Sequence, residues 1–271
     1  MSLSKREQNK LAQGYGPWAL VTGASSGIGK AIAIQLAEAG LDLILVARRN
    51  SLLVELSEEL KHGRDLKVVC ISADLSQRSG VENLLQRLET YDIGLFVGAA
   101  GFGTSGAFIK SDLNQELNML ALNCEAILLM THYFAKSMVA RGRGGIILLA
   151  SLVGFQGVPY AAHYAATKAY VQSLGEALAV ELKGHGVDVL SAAPGPVNSG
   201  FADRANMQMG NVLSPDQVAI PILRALGKRD TVLPGNLTKL LVGSLRTVPR
   251  WAKVRIMSKV MGGMTQHQRA S

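Results

Sequence analysis

Seven short apolar runs alternate along this chain with stretches of helical period. The runs occupy residues 18–22, 43–46, 66–71, 93–97, 145–149, 187–190 and 231–233. Between them lie helix-periodic stretches at 30–39, 52–60, 81–88, 113–139, 162–183 and 215–226, the last carrying Pro221 as a possible kink. Gly40 and Gly184 stop two of these helices. Continuously apolar strands are covered on both faces, which is the mark of a parallel sheet. Strand–helix alternation with right-handed crossovers then predicts an α/β fold: a doubly wound parallel sheet of about seven strands, helices on both faces, in a single domain. A length of 271 residues suits one such domain, and 48% hydrophobic residues exclude a disordered chain.

Charge excludes a nucleic-acid binder. The net charge of +8 invites that reading, but seven of the 28 basic residues follow Asp230, where no acid occurs. They are Lys239, Arg246, Arg250, Lys253, Arg255, Lys259 and Arg269. The body up to Asp230 holds 21 basic and 20 acidic residues and is nearly neutral. Aromatics, at 5%, are too few for base stacking. Two cysteines, Cys70 and Cys124, make neither a disulfide framework nor a cysteine zinc site, and no metal is expected. Both are read as buried structural thiols. No apolar run reaches transmembrane length and the first residues lack a signal-peptide core, so a cytoplasmic location is expected.

The turn after the first run reads Thr22-Gly23-Ala24-Ser25-Ser26-Gly27-Ile28-Gly29. Gly23 permits a tight exit from the strand. Gly27 lets backbone approach a pyrophosphate, and Gly29 lets helix and sheet pack closely. The helix start then offers unpaired N–H groups to phosphate. The second run ends Val46-Ala47-Arg48-Arg49, without the acid that would hold a ribose 2′-hydroxyl. Arg48 and Arg49 instead offer forked donors for a 2′-phosphate, so NADP(H) is the expected cofactor.

Tyr164 and Lys168 stand four apart in a helical stretch and share one face. Ser151 precedes Tyr164 by thirteen residues, and Pro194-Gly195-Pro196-Val197 follows the sixth run. In order and spacing these features resemble the single-domain short-chain dehydrogenase/reductase family, with its Rossmann-type fold. The resemblance spans residues 17 to about 235. It divides the chain into a polar extension, 1–16, poorly ordered at its start; a dinucleotide-binding catalytic domain, 17–235; and a basic helical extension, 236–271, on or beside that domain.

The resemblance implies roles. Tyr164 is the general acid in carbonyl reduction and the base in alcohol oxidation. Lys168, together with the charge of the oxidised nicotinamide, favours tyrosinate, bringing the pKa of Tyr164 nearer neutral pH, and bonds the nicotinamide ribose. Ser151 bonds the substrate oxygen. Asn123 holds a water in a proton relay. Cofactor contacts fall to Ser25, Ser26, Ile28, Asp74, Leu75, Ala99, Ala100, Gly101, Pro194, Gly195, Val197 and Ser199, besides Tyr164 and Lys168. One departure stands out: where the family carries Asn-Asn-Ala-Gly, this chain has Gly98-Ala99-Ala100-Gly101. The asparagines that tie adjacent strands are missing, so local rigidity is in question. His163 points about 100° from Tyr164 and is read as a surface or interface histidine.

Residues 200–213, with Phe201, Met207, Met209 and Val212, are expected to cover the substrate, with Met257, Met261 and Met264 beyond. Phe155, Val158, Pro159 and Tyr160 line the loop before the catalytic helix. Thioethers adapt to irregular apolar ligands. A mostly apolar ketone or 3-ketoacyl thioester fits, and the opening residues and added C-terminal helices are similar to the ketoacyl-reductase and hydroxysteroid-dehydrogenase branch. The expected activity is NADP(H)-dependent carbonyl reduction; its rivals are alcohol oxidation and a non-catalytic NADP-binding regulator. The long helices at 113–139 and 162–183 are apolar on more than one face, which predicts a homodimer or homotetramer. The basic extension interleaves Leu237, Leu240, Leu241, Leu245, Trp251, Val254, Ile256 and Val260 with cations. It either docks with its charges solvated or meets an anionic membrane or an acidic acyl carrier.

Overall fold

The computed structural model describes residues 2–210, 212–245 and 247–268, with only the backbone at Leu237 and Leu245. In chain order the elements are α1 (Lys5–Tyr15), β1 (Trp18–Thr22), α2 (Gly27–Glu38), β2 (Asp42–Ala47), α3 (Asn50–Lys61), β3 (Val68–Ser72), α4 (Arg78–Leu88) and β4 (Ile93–Gly98). Then come α5 (Leu113–Leu120), α6 (Ala126–Arg141), β5 (Gly144–Leu149), α7 (Ala162–Lys183), β6 (Val187–Ala192) and α8 (Phe201–Arg204). The last are α9 (Pro215–Ala225), β7 (Thr231–Val232), α10 (Asn236–Leu245) and α11 (Arg250–Met264). The strands form one sheet in the order β3-β2-β1-β4-β5-β6-β7, and every pairing is parallel.

Burial explains the continuous apolar runs. Successive strand residues point to opposite faces, and both faces are covered. Ala19, Val21, Leu43, Leu45, Leu95, Val97 and Ile147 pack on one side with Ile32 and Leu36 of α2, Leu53 of α3 and Val218 and Ile222 of α9. Leu20, Ile44, Phe96, Ile146 and Leu148 pack on the other with Leu84 of α4, Met130 and Phe134 of α6 and Val171 of α7. The polar strand residues buried completely, Thr22 and Ser191, are both hydrogen-bonded, as burial requires.

The order reverses between β1 and β4, and at such a switch point the loops beyond the strand C-termini splay apart into a crevice. That crevice is the site described below.

Two elements depart from the sequence expectation. Residues 2–16 are not a loose start. Ser4 and Glu7 form a capping box at the head of α1, and Leu3, Leu11 and Tyr15 are buried in the main core. Arg224 of α9 donates to Glu7 at 2.8 Å, and the Tyr15 hydroxyl donates to Asp188 at 2.6 Å, so α1 is fastened to both α9 and the start of β6. The Ser4 backbone and Arg224 together hold the Glu7 carboxyl down at about 2.

The helix expected at 113–139 is also not one regular element. A five-residue π turn, Ala121–Glu125, joins α5 to α6. It turns Asn123 inward, onto the Phe102 backbone and Thr167 beside the cleft rather than into its lining.

Candidate active site

The site grows from the turn after β1. Gly23 and Gly27 have φ of +66° and +58°, a region closed to most side chains. A Cβ on Gly23 would lie 2.9 Å from Ala100 backbone, and one on Gly27 would lie 2.7 Å from Ser199. Both positions are therefore held to glycine twice, by torsion and by space. The turn delivers the head of α2, whose N-cap Ser26 makes no side-chain capping bond and leaves the first N–H groups facing the crevice.

A single cleft of about 1140 Å³ joins the expected residues. Along its wall lie Gly23, Ser25, Ser26, Gly27, Ile28 and Gly29 from the turn, Arg48 and Arg49 from the end of β2, Asp74 and Leu75 after β3, and Ala99, Ala100 and Gly101 after β4. Pro194, Gly195, Val197 and Ser199 follow β6, and Ser151, Tyr164 and Lys168 stand on its floor. A cradle of bare glycine backbone at a helix head, with cations where β2 ends, fits a dinucleotide. Asp74 also serves its own turn, its Oδ1 accepting from the Ser76 amide and hydroxyl at 3.0 and 2.8 Å. Arg49 reaches the Ser25 hydroxyl at 3.5 Å, which brings the arginine end of the cleft up to the glycine turn.

The reactive end is held from three elements. Tyr164 and Lys168 are buried on α7. Lys168 Nζ donates to the Leu149 carbonyl at 2.7 Å and lies 5.9 Å from the Tyr164 ring centre. Ser151 follows β5, and its hydroxyl donates to the Pro194 carbonyl at 3.5 Å. Asn123 is clamped to the Phe102 backbone in both directions. Its Nδ2 donates to the Phe102 carbonyl at 2.8 Å, and its Oδ1 accepts from the Phe102 amide at 3.2 Å. Nδ2 also donates to Thr167 Oγ1 at 3.1 Å. The Asn123 side chain thus fastens the strand β4 loop to α7 one residue before Lys168.

Burial sets the protonation of this pair. It pushes the Tyr164 hydroxyl up to about 12, against the opposite pull of Ser151. It brings Lys168 down to about 8. The expected lowering of the tyrosine pKa includes the charge of an oxidised nicotinamide, and these values describe the protein groups without it. Desolvation outweighs them, and the tyrosine is held as the protonated acid.

The missing asparagines are replaced from β1. Thr22 Oγ1 accepts from both the Ala99 and Ala100 amides, at 3.1 and 3.2 Å, and donates to the Val97 carbonyl at 3.2 Å. One fully buried threonine ties β1 to the end of β4, with each bond worth about 1 kcal/mol. Sequence reasoning missed this, because a strand threonine carries no signal of which neighbour it bonds.

It also missed Arg204. This residue closes α8 above the cleft, with its guanidinium 3.9 Å from the Phe102 ring centre. Burial, then the charge of Arg48, lowers its pKa, with Arg49 adding to the effect and Asp74 opposing it. Three cations therefore share one field at the cofactor end.

Two further findings concern single residues. His163 is half-buried, as suits a residue at the surface, and its Nδ1 sits 2.7 Å from Oε2 of Glu116, which is buried on α5. Cys124 is buried and its thiol is pushed up to about 11, but Cys70 is only half-buried, donating to the Leu53 carbonyl at 3.2 Å.

Over the reactive end lie Phe201, Met207, Met209, Met257, Met261 and Met264, which line the cleft. Phe201 stacks at 5.2 Å on the Tyr164 ring, and Val158, Met257 and Met261 form a small buried cluster with Tyr164 and Phe102. Phe155 instead joins the core beneath, and Val212 is exposed and outside the cleft lining. Gln156, not foreseen, also lines the cleft.

The short chain dehydrogenase family model matches residues 17–210. The chain belongs to the short-chain dehydrogenase family. It is an oxidoreductase of the family's nicotinamide-dependent kind. It is 31% identical over 232 residues to a 7beta-hydroxysteroid dehydrogenase of Clostridium sardiniense, covering 83% of this chain and 88% of that protein. A very-long-chain 3-oxoacyl-CoA reductase of Pyrenophora tritici-repentis is 36% identical over 180 residues, 64% of this chain but 53% of that longer protein. Among solved structures, a 7beta-hydroxysteroid dehydrogenase superposes with a TM-score of 0.84 at 26% identity, covering 91% of this chain and 98% of that one. A short-chain dehydrogenase from Sphingobium yanoikuyae in complex with NADPH gives 0.77 at 28%, covering 87% and 97%.

Proposed function

We propose that this short-chain dehydrogenase reduces the carbonyl of a mostly apolar substrate, a bulky ketone or a 3-ketoacyl thioester, with NADP(H) as cofactor. The observation that carries the reading is the composition of the cleft: Tyr164, Ser151 and Lys168 at the floor, methionines and Phe201 above them, and Arg48 and Arg49 at the far end. The relatives named for a hydroxysteroid and for a very-long-chain 3-oxoacyl-CoA agree with a large apolar substrate.

The glycine turn and the head of α2 hold the pyrophosphate, the arginines the 2′-phosphate, and Lys168 the nicotinamide ribose. When bound, the nicotinamide supplies the hydride for the carbonyl carbon. Ser151 Oγ donates a hydrogen bond to the substrate oxygen as charge grows on it. Tyr164 Oη gives that oxygen its proton, and the product is the alcohol. Lys168 Nζ, when protonated, offsets the charge left on the tyrosinate. Phe201 and the methionines keep water from the floor, which strengthens each of these interactions. A panel of bulky ketones, hydroxysteroids and 3-ketoacyl thioesters, assayed with NADPH and NADH, tests the reading. Turnover of an apolar member with NADPH is expected. Activity confined to small charged carbonyls would overturn it.

We infer further that the protein is a homodimer or homotetramer paired through α5–α6 and α7. Leu113, Leu117, Leu120 and Leu128 are exposed on the first pair, and Tyr170 and Val180 on α7, with Val180 at 72% exposure. Apolar residues repeated on a helix face need cover. Light scattering at micromolar concentration is expected to give a multiple of 28.8 kDa; a monomer mass would end this reading.

A further inference from the structure

The two C-terminal helices leave an outward face that the reaction does not use. On α11 successive residues turn by about 100°. Met257 and Met261 point inward and are buried. Arg255 and Lys259 lie on the opposite side and are exposed; Ile256 and Val260, about 100° and about 60° around the helix from Met257, are exposed where the helix meets the cleft. Trp251, one turn before Arg255, is 63% exposed, and the Arg255 guanidinium lies 5.1 Å from its ring centre. On α10, Thr238 is buried while Lys239, Leu240 and Leu241 are exposed, Leu240 at 67%.

This face has three properties together. Large apolar groups stand in water. The charges between them are all positive, since no acid follows Asp230 anywhere in the chain. And the face runs into the cleft, because Leu241, Ile256 and Val260 also line it. Among the described residues no helix is long and apolar enough to cross a membrane. The side chains of Leu237, Leu245, Arg246 and Arg269 lie outside the described residues.

We infer that α10 and α11 form a docking face that seats the mouth of the cleft on an anionic lipid surface. Exposed apolar side chains that flank cations on α10 and α11 suit a lipid interface, the apolar groups reaching acyl chains and the cations the headgroups. An acidic acyl carrier would match the charge but would leave Leu240 and Trp251 without an apolar partner. Docking would let an apolar substrate pass from the lipid to Tyr164 without crossing water. The inference rests on the reading of an apolar substrate for its purpose, but vesicle binding is measured without turnover, so either reading can fail while the other stands.

The test uses the full chain with Trp18→Phe, which leaves Trp251 as the sole tryptophan reporter. Vesicles of phosphatidylcholine are compared with vesicles that also contain phosphatidylglycerol. The protein is expected to co-sediment with the second kind at low salt, with the Trp251 emission shifted to the blue, and to be released at about 0.5 M salt, where screening acts within a few ångströms. Reversing Arg255→Glu and Lys259→Glu together is expected to weaken binding at least about 100-fold. If that pair impairs cofactor binding or the circular dichroism spectrum, Lys239→Glu with Lys253→Glu replaces it. Absence of vesicle binding at low salt, equal binding by the charge-reversed protein, or binding without the blue shift would overturn the inference. So would a face that captures only an acidic acyl carrier protein, or only a second copy of the chain.

Discussion

Tyr164→Phe lowers turnover by at least about 100-fold while NADPH affinity stays nearly unchanged. The ring and its contact with Phe201 survive, and only the proton donor is lost. General acid catalysis is worth about 10²- to 10⁴-fold. Stopped-flow reduction with a single substrate and a separate fluorescence titration of NADPH measure the two quantities; undiminished reduction in the variant would refute the assignment. The pH profile adds a signature with a definite sign. Tyr164, at about 12, remains protonated through the neutral range, so it does not limit the reduction. Lys168, at about 8, carries its charge below that pH and loses it above. Reduction is therefore expected to be sustained below about pH 8 and to decline as pH rises through it.

Arg48→Ala combined with Arg49→Ala weakens NADPH by roughly 10- to 100-fold and leaves NADH little changed. Each charge-assisted bond contributes about 1.5–3 kcal/mol, or roughly ten- to a hundredfold in affinity. Both arginines are exposed, which places each loss toward the lower end and gives it a salt dependence. Arg204 carries a third cation to the same end of the cleft and retains part of the attraction, so the double variant is expected to lose less than two full contributions. The measurement is kcat/KM for both cofactors in parent and variant. Equal efficiency with NADH and NADPH in the parent would refute the cofactor preference.

Most of the architecture was legible because the signals were local and agreed with one another. Each strand of the two-faced sheet is a continuous apolar run, and the glycine turn stands where strand meets helix. The Ser151, Tyr164 and Lys168 spacing is meaningful only once the fold is known, yet it survives as linear distance in the chain. What escaped was of three kinds. The head of α1 was written in the sequence as Ser4 and Glu7, a capping pair, but polar composition obscured it. Thr22 and Arg204 act across 77 residues or across the cleft, and no local pattern states such a partner. The protonation of Tyr164 depends on how completely it is enclosed, which is a property of the packed cluster around it and of no single neighbour.

The π turn between α5 and α6 has a consequence for the outer surface as well as for the site. Leu113, Leu117 and Leu120 lie on one exposed stripe with steps of four and three. The stripe resumes at Glu125, Leu128 and His132, all exposed, after a step of five. A regular helix would have placed the buried Cys124 outward and thrown the second half of the stripe about 100° out of phase. One surplus residue thus acts as a phase corrector: it turns Asn123 inward while both halves of the segment keep facing the same way. Removing a single residue between Ala121 and Glu125 would straighten the helix and spare its hydrogen bonding, yet uncouple the exposed leucine face from the wall that supports Lys168. The distance in sequence between the outer face and the wall of the cleft is, at this point, one residue.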